Sequence, residues 1–134
     1  MVVHMIGLGL SDERDSSVKG LECVKRSKFV YLEMYTAILM VDTARLSEFF
    51  GKEVVVADRE FVESGCEQMI EQAKTDEVSF LVVGDVFCAT THTDLQLRCI
   101  AEGVKVNVIH NASIVSAMGC CGMMVYRFGE IISI

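Results

Sequence analysis

The stretch FLVVGDVFCATTH, residues 80–92, decides how the fold of this chain is interpreted, because it changes abruptly from apolar to polar. Residues 80–83 are all large and apolar, which is typical of a strand buried on both faces of a sheet. A glycine and Asp85 end the apolar run, and Cys88 and His92 follow in a threonine-rich segment. The sequence therefore predicts a buried strand whose carboxyl end opens into a polar loop with reactive side chains.

The chain on both sides of this stretch alternates between strand-like and helix-like segments. The predicted strands cover residues 2–6, 29–32, 54–56, 80–83 and 104–109. A first helix is predicted to begin after Ser17, and three others cover residues 43–50, 60–74 and 112–119. A further helix is indicated by the helical spacing of Leu97, Ile100, Ala101 and Val104. Apolar strands that alternate with helices form parallel sheets covered on both faces. The sequence therefore predicts an α/β fold, with a mostly parallel five-stranded sheet and helices on both faces.

Length and composition indicate one domain with a packed core. The chain has 134 residues, of which 51% are hydrophobic, and its mean hydropathy is +0.41. Single domains usually contain about 100 to 150 residues, so a second full core is not expected. This much apolar surface argues against an intrinsically disordered chain.

Charge and hydropathy argue against nucleic acid and a membrane as partners. The formal net charge is −7, from 19 acidic and 12 basic residues, and an acidic chain repels nucleic acid. The longest uncharged segment, residues 106–126, is interrupted by histidine, asparagine, serine and glycine, which a bilayer disfavours. The N-terminal segment has no basic residue ahead of its apolar run and no cleavage pattern, unlike a signal peptide. We therefore expect a cytoplasmic protein.

The six cysteines form no recognisable disulfide or metal pattern, since none lies in a C-x-x-C pair. Cys23, Cys66 and Cys99 are expected to be buried reduced thiols. Cys88 lies in the polar loop, so either a structural or a functional role is possible for it. The G-x-S-x-G, H-E-x-x-H and P-loop patterns are also missing from the sequence. Hydrolase, zinc protease and NTPase activities therefore have no support, and no metal is expected.

Three loops leave apolar strands at the carboxyl edge of the predicted sheet, at residues 7–10, 84–92 and 109–114. Ligands of open α/β sheets bind beyond the carboxyl ends of the strands, so these loops are expected to converge on one site. The first loop contains Gly7 and Gly9, but Asp12 takes the place of the third glycine in the dinucleotide fingerprint. The two glycines therefore indicate either a tight turn or a ligand contact.

The polar residues of the second loop and the histidine of the third each have a structural alternative to a functional role. Asp85 can accept hydrogen bonds from a ligand, or it can cap the turn that follows. Thr90 and Thr91 are predicted to cap the next helix, which would make His92 a surface residue in its first turn. His110 can serve in acid-base chemistry or simply be hydrogen-bonded in place.

Backbone amides at the start of the predicted helix 112–119 face the same edge, where they can bind a ligand or be capped by Asn111. No nucleophile and base stand out together. The residues by themselves therefore predict an α/β ligand-binding domain.

Four segments of the chain carry a distinctive pattern: IGLGLSDERDSSVKGLECVKRSKFVYLEMYT (6–36), VVADRE (55–60), FLVVGDVFCATTHTDL (80–95) and VIHNASIVSAMGCCGMMVYRFGE (108–130). They resemble the diphthine synthases, a branch of the tetrapyrrole methylase class of S-adenosylmethionine-dependent methyltransferases. The resemblance spans nearly the whole chain, and the segments are long and in the family's order. It implies an S-adenosylmethionine-binding N-terminal α/β domain over residues 1–134, without the second domain that family members carry.

The resemblance also implies an activity and its partners. Diphthine synthases transfer methyl groups from S-adenosylmethionine to the modified histidine of translation elongation factor 2, on the route to diphthamide. The eukaryotic type methylates an amino group and also esterifies a carboxylate. Both acceptors are nucleophiles once the amine is deprotonated, so alignment is the main requirement and no catalytic residue is assigned.

Carried over by position, the family's cofactor contacts fall on five residues of the three loops: Leu10, Asp85, Cys88, Ser113 and Ile114. The chain departs from the family at Val86, where a proline usually stands, and at Cys88, where a glycine usually stands. Proline would fix the φ angle of that turn, and a side chain at position 88 would crowd a ligand that approaches the backbone.

The resemblance implies a homodimer, because members of this family form dimers, and the C-terminal segment of this chain is compatible with dimer formation. From residue 113 onward Arg127 and Glu130 are the charged residues, which predicts an apolar surface that a second domain or a partner subunit covers. Two other functions stay open at this point. One is methylation of a corrin or porphyrin precursor, and the other is a noncatalytic α/β domain that dimerises.

Overall fold

The computed structural model describes residues 1–35, 38–88, 92–123, 126–127 and 129–132. The strands are β1 (Val2–Gly7), β2 (Phe29–Glu33), β3 (Val54–Ala57), β4 (Glu77–Val82) and β5 (Lys105–Ile109). The helices are α1 (Val18–Arg26), α2 (Thr43–Phe50), α3 (Arg59–Ser64), α4 (Glu67–Ala73), α5 (His92–Ala101) and α6 (Ile114–Ala117). Two 3₁₀ turns, Glu13–Asp15 and Met118–Cys121, complete the described elements. Among the described residues, no helix has both the length and the apolar character needed to cross a membrane.

The five strands form one sheet in the order β3-β2-β4-β1-β5, and every neighbouring pair is parallel. In the central register Met5 of β1 lies between Phe80 of β4 and Val108 of β5. Tyr31 of β2 continues the row on the other side of β4. The predicted α/β fold with a mostly parallel five-stranded sheet is confirmed.

Helices cover both faces of the sheet, as predicted, and each face has its own core. One core joins α1 and α2 to the sheet through Cys23, Val24, Leu46, Phe50, Ile6 and Leu81. The other joins α3, α4 and α5 to the opposite face through Val62, Met69, Ile70, Leu95, Cys99, Met5 and Phe80. The predicted burial of Cys23, Cys66 and Cys99 is also confirmed, and all three are free thiols.

The helix predicted over residues 60–74 is in fact two helices. Asp58 caps the first of them by accepting a hydrogen bond from the Phe61 N–H, and Gly65 ends it with a backbone geometry that leaves the helical region. The apolar residues on either side of the break, such as Val62 and Met69, nevertheless all face the core. Helical spacing predicts the buried face, and the spacing continues unchanged across the two-residue break at Gly65 and Cys66.

The helix indicated by the spacing of Leu97 and Ile100 is present, but these residues do not form its buried face. Leu97 and Ile100 are 60% and 56% exposed, whereas Leu95 and Cys99 are buried against the sheet. Both sets of residues repeat at three or four positions, so periodicity alone does not choose between them. The helix also begins earlier than the apolar pattern indicated, at His92.

The two central strands create a crevice at the carboxyl edge. The chain leaves β1 through α1 on one face of the sheet to reach β2, and it leaves β4 through α5 on the other face to reach β5. The loops after these adjacent strands therefore diverge to opposite faces. Such a switch point is where parallel α/β sheets bind their ligands.

Candidate functional site at the carboxyl edge

Two glycines join the loop after β1 to the loop after β4. The Gly9 N–H donates to the Gly84 carbonyl oxygen at 3.2 Å, and the Gly84 N–H donates to the Gly9 carbonyl oxygen at 2.7 Å. The φ angles of Gly9 and Gly84 are +79° and +77°, in the region that favours glycine. A Cβ at Gly7 would lie 2.6 Å from the Gly84 carbonyl oxygen. The glycines of the first loop therefore serve a tight turn and a close approach of two backbones.

Asn111 ties the third loop to the first. Its side-chain amide donates to the Gly7 carbonyl oxygen at 3.0 Å and to the Asp15 carbonyl oxygen at 2.9 Å. The helix that follows is capped by Ser113, whose hydroxyl accepts from the Ser116 N–H. Asn111 does not cap this helix, because the helix begins at Ile114 with Ser113 as its cap, and the Asn111 Oδ1 instead accepts from the Ala112 N–H at 2.7 Å, ahead of the helix.

Asp85 ties the second loop to the third. Its Oδ2 accepts from the Phe87 N–H at 3.2 Å, and its Oδ1 accepts from the Asn111 N–H and from His110 Nδ1, each at 3.0 Å. Burial acts to raise the pKa of Asp85, but the hydrogen bonds from Asn111, Phe87 and His110 together outweigh it and hold the pKa below its ordinary value. The carboxylate is thus ionised at neutral pH. The bond from Phe87 confirms that Asp85 caps its turn.

His110 is hydrogen-bonded in place, as one of its two interpretations held. Its ring packs against Phe87 with centroids 6.4 Å apart, and its side chain is 70% exposed. The Asp85–His110 pair therefore stands at the edge of the sheet with the carboxylate inside and most of the imidazole in solvent.

His92 is completely buried, so its prediction as a surface residue was wrong. Its Nδ1 donates to the Val86 carbonyl oxygen at 2.9 Å, its Nε2 lies 3.9 Å from Glu33 Oε1, and its ring meets Phe80 edge-on. His92 thus holds the second loop against the core through the Val86 carbonyl oxygen. The signal was available, because positions 92, 95 and 99 share one helical face, but a histidine in a first turn is usually exposed.

Glu33 is a second buried residue that the sequence analysis missed. It ends β2 with no exposed surface, next to the carboxyl edge. A glutamate at a strand end normally faces solvent, so nothing in the sequence indicated burial.

The five residues carried over from the family lie in the three joined loops. A Cβ at Gly84 would lie in van der Waals contact with both neighbouring loops, 3.9 Å from Leu10 Cδ2 and 3.8 Å from the Ala112 carbonyl oxygen, so the three loops approach one another closely here. Cys88 and Ser113 are half-buried, and Ile114 is 65% exposed. Thr90 and Thr91 lie outside the described residues, as do residues 36–37. Within the described ranges, no group of three or more His, Cys, Asp or Glu residues could hold a metal ion.

The sequence profile of the tetrapyrrole (corrin/porphyrin) methylases matches residues 2–134. The chain belongs to this family. It is 52% identical over 135 residues to the diphthine methyl ester synthase of Dictyostelium discoideum, covering 99% of this chain and 50% of that protein. It is 53% identical over 133 residues to the human diphthine methyl ester synthase, covering 99% of this chain and 47% of that protein.

A solved structure supports the same relationship. A crystal structure of diphthine synthase superimposes with a TM-score of 0.93 at 44% identity, covering 96% of this chain and 52% of that one. The chain thus spans about half the length of the relatives it matches.

Proposed function

We propose that this chain is the S-adenosylmethionine-binding N-terminal domain, residues 1–134, of a diphthine methyl ester synthase. In the complete enzyme it would take part in methyl transfer to the modified histidine of translation elongation factor 2. The observation that carries the proposal is the identity above 50%, over nearly the whole chain, to relatives that bear this name. We further propose a cytoplasmic homodimer as the working form.

The three joined loops suit the cofactor in charge and in the groups that they present. S-adenosylmethionine supplies an electrophilic methyl group on a positively charged sulfur. The ionised Asp85 gives the crevice a negative charge, which favours a cation. Leu10, which is 36% exposed, offers apolar surface next to Gly84. The Ser113 hydroxyl accepts its cap bond and keeps its own hydrogen for a ligand.

The five proposed contacts do not share one role. Asp85 holds the loops together through two backbone N–H groups, so we assign its effect on the cofactor to position and charge more than to direct bonding. Ile114 is largely exposed and would become covered by ligand or by the other half of the enzyme. Cys88 replaces the family's glycine, and its thiol narrows the approach to the backbone there.

The chain's task in the reaction is binding and orientation. A methyl transfer accelerates when acceptor, methyl and sulfur are held in line and water is kept away. The carboxyl edge supplies one wall of such a cleft, and we propose that the second domain of the complete enzyme supplies the other. The similarity to relatives named diphthine methyl ester synthase favours elongation factor 2 as the methyl acceptor over a corrin or porphyrin precursor.

Calorimetric titration with S-adenosylmethionine and S-adenosylhomocysteine tests the proposal, on this chain and on a two-domain form. The two-domain form joins this chain to the C-terminal half of the human relative. We expect binding in both and methyl transfer to unmethylated elongation factor 2 in the two-domain form. Transfer to a corrin precursor, or no cofactor binding in either form, contradicts the proposal.

A further inference from the structure

The imidazole of His110 has one nitrogen tied to the protein and one open. Nδ1 lies 3.0 Å from Asp85 Oδ1. The Phe87 and Asn111 N–H groups bond the same carboxylate, which is therefore ionised and can only accept. Nδ1 must then carry the ring hydrogen. In the neutral ring the basic lone pair is on Nε2, on the side away from Asp85.

His110 differs in this from the other two histidines of the chain. His4 is 3% exposed, and both of its nitrogens are engaged, by Glu77 at 3.0 Å and by Asn107 at 2.9 Å. His92 has no exposed surface. With its side chain 70% exposed, His110 alone presents an imidazole to solvent among the three.

We propose that His110 is the proton acceptor for the amine of the substrate, with Asp85 as its positioning partner. This inference rests on the function proposed above. An α-amino group has an ordinary pKa of about 8, so at neutral pH most of it is protonated and has no lone pair to attack with. A base beside the cofactor crevice removes that obstacle.

Every atom of the step is accounted for. The ammonium proton passes to Nε2 of His110, and the freed nitrogen lone pair forms the bond to the methyl carbon. The carbon–sulfur bond breaks, and its electron pair stays on sulfur, which becomes neutral. The ionised Asp85 stabilises the imidazolium through Nδ1, and the proton then leaves Nε2 for solvent.

The surroundings of the imidazole suit this role. Asp85, from the loop after β4, is the charged group that contacts the ring, and Phe87 packs against the ring from the same loop. From the loop after β5, Asn111 contributes its backbone N–H to the same carboxylate. The partner of the ring is thus held rigidly from two loops, which keeps Nε2 aimed in one direction.

The proposal separates the two acceptors of the reaction. An amine must lose a proton before it accepts a methyl group. A carboxylate is already ionised at neutral pH and needs no base. His110 should therefore serve methylation of nitrogen and not formation of the methyl ester.

The decisive variant is His110→Asn in the two-domain form, because an asparagine amide can still donate to Asp85 but has no basic nitrogen. With the amine acceptor we expect kcat to fall on the order of 100-fold, since general bases contribute about 10² to 10⁴. With an acceptor whose nitrogen is already trimethylated, ester formation should fall far less, because that step needs no base. In His110→Ala, added imidazole should restore part of the nitrogen methylation. An equal loss with both acceptors, or no loss with either, overturns the proposal.

A second measurement does not depend on turnover. Diethyl pyrocarbonate acylates unprotonated, accessible imidazole nitrogens, so in this chain it should label His110 first, and the His110→Asn variant should lose that label. Failure of His110 to react means that Nε2 is not an open base, and the proposal falls. If the parent two-domain form methylates neither acceptor, the proposed function fails instead, and the labelling still decides the state of Nε2.

Discussion

The carboxylate of Asp85 and the backbone N–H of Asn111, 26 residues apart, are joined by a 3.0 Å hydrogen bond at the carboxyl edge of the sheet. The same carboxylate accepts from the Phe87 N–H, and the Asn111 side chain reaches on to the first loop. One ionised group therefore holds the second and third loops of the proposed cofactor site in register. Its charge should be visible in the stability of the fold.

Asp85→Asn should lower the free energy of unfolding at pH 7 by about 1.5 to 3 kcal/mol, because an amide cannot accept as the ionised carboxylate does. The pKa of Asp85 is lower in the folded chain than its ordinary value of 3.8. The contribution is therefore present above pH 3.8 and is lost as the pH falls through the lower folded pKa. Urea unfolding at neutral and at acidic pH should show the parent and the variant converging in acid. The exposed Glu48→Gln variant is the control, and a difference that is independent of pH contradicts the assignment.

Gly7→Ala should disrupt the junction of the three loops. The added Cβ would lie 2.6 Å from the Gly84 carbonyl oxygen and 2.9 Å from Asn111 Cβ, and neither partner is the end of a flexible side chain. Overpacking of this kind costs about 1 to 3 kcal/mol. Thermal unfolding should show the loss, and Gly129→Ala, where nothing lies within 4 Å, should leave the midpoint unchanged.

Much of the fold could be predicted from the sequence, because parallel strands buried on both faces are apolar without interruption. Residues 80–82 show this pattern and lie in the buried strand β4, whereas the equally apolar residues 54–56 lie in the edge strand β3, where Val55 and Val56 are 45% and 50% exposed. The location of the site could also be predicted, since loops at the carboxyl ends of such strands meet at one edge. Those inferences depend on local patterns and on topology.

What could not be predicted depends on partners distant in sequence. His92 is buried against the end of β2, where its Nε2 lies 3.9 Å from Glu33 Oε1, and nothing in the sequence around position 92 indicates that contact. The role of Asn111 likewise depends on carbonyl oxygens about a hundred residues away. Helical periodicity was also insufficient for Leu97, since two faces of the same helix are apolar.

His92→Leu should loosen the second loop while it keeps the volume of the core filled. The variant removes the donor to the Val86 carbonyl oxygen and leaves that buried group without this bond, at a cost of about 1 to 3 kcal/mol. Urea unfolding should report the loss of stability, and cofactor titration should show weaker binding. Thr93→Val changes the neighbouring exposed position and should alter neither quantity. A His92→Leu variant as stable as the parent contradicts a stabilising role for the hydrogen bond from His92 to the Val86 carbonyl oxygen.

Leu10→Ala should weaken cofactor binding without unfolding the chain. Leu10 is 36% exposed and lies next to Gly84, so a bound ligand would cover apolar surface that the variant lacks. Covering a whole leucine side chain contributes about 1.5 to 3 kcal/mol, and a ligand can cover only the exposed third of Leu10, so a loss of roughly three- to fivefold in affinity is expected. Titration with S-adenosylhomocysteine measures it, and Leu97→Ala on α5, 60% exposed and on another element, is the matched control. Equal affinities for the Leu10 variant and the parent remove Leu10 from the site.

The chain by itself should form a dimer with little or no methyltransferase activity, because large apolar side chains remain exposed near its C-terminus. Met123, Tyr126 and Ile132 are 75%, 95% and 78% exposed, and monomers seldom leave such groups together in solvent. Light scattering coupled to gel filtration measures the mass, and Ile132→Lys should shift it toward the monomer. Leu97→Lys, on the exposed face of α5, distinguishes the two apolar surfaces: if it dissociates the dimer and Ile132→Lys does not, α5 is the contact.

The methyltransferase activity of the chain alone should be weak because one wall of the cleft is expected from the second domain, and adding that domain should raise turnover. A monomeric parent chain contradicts association, and turnover by this chain equal to that of the two-domain form contradicts the need for a second wall.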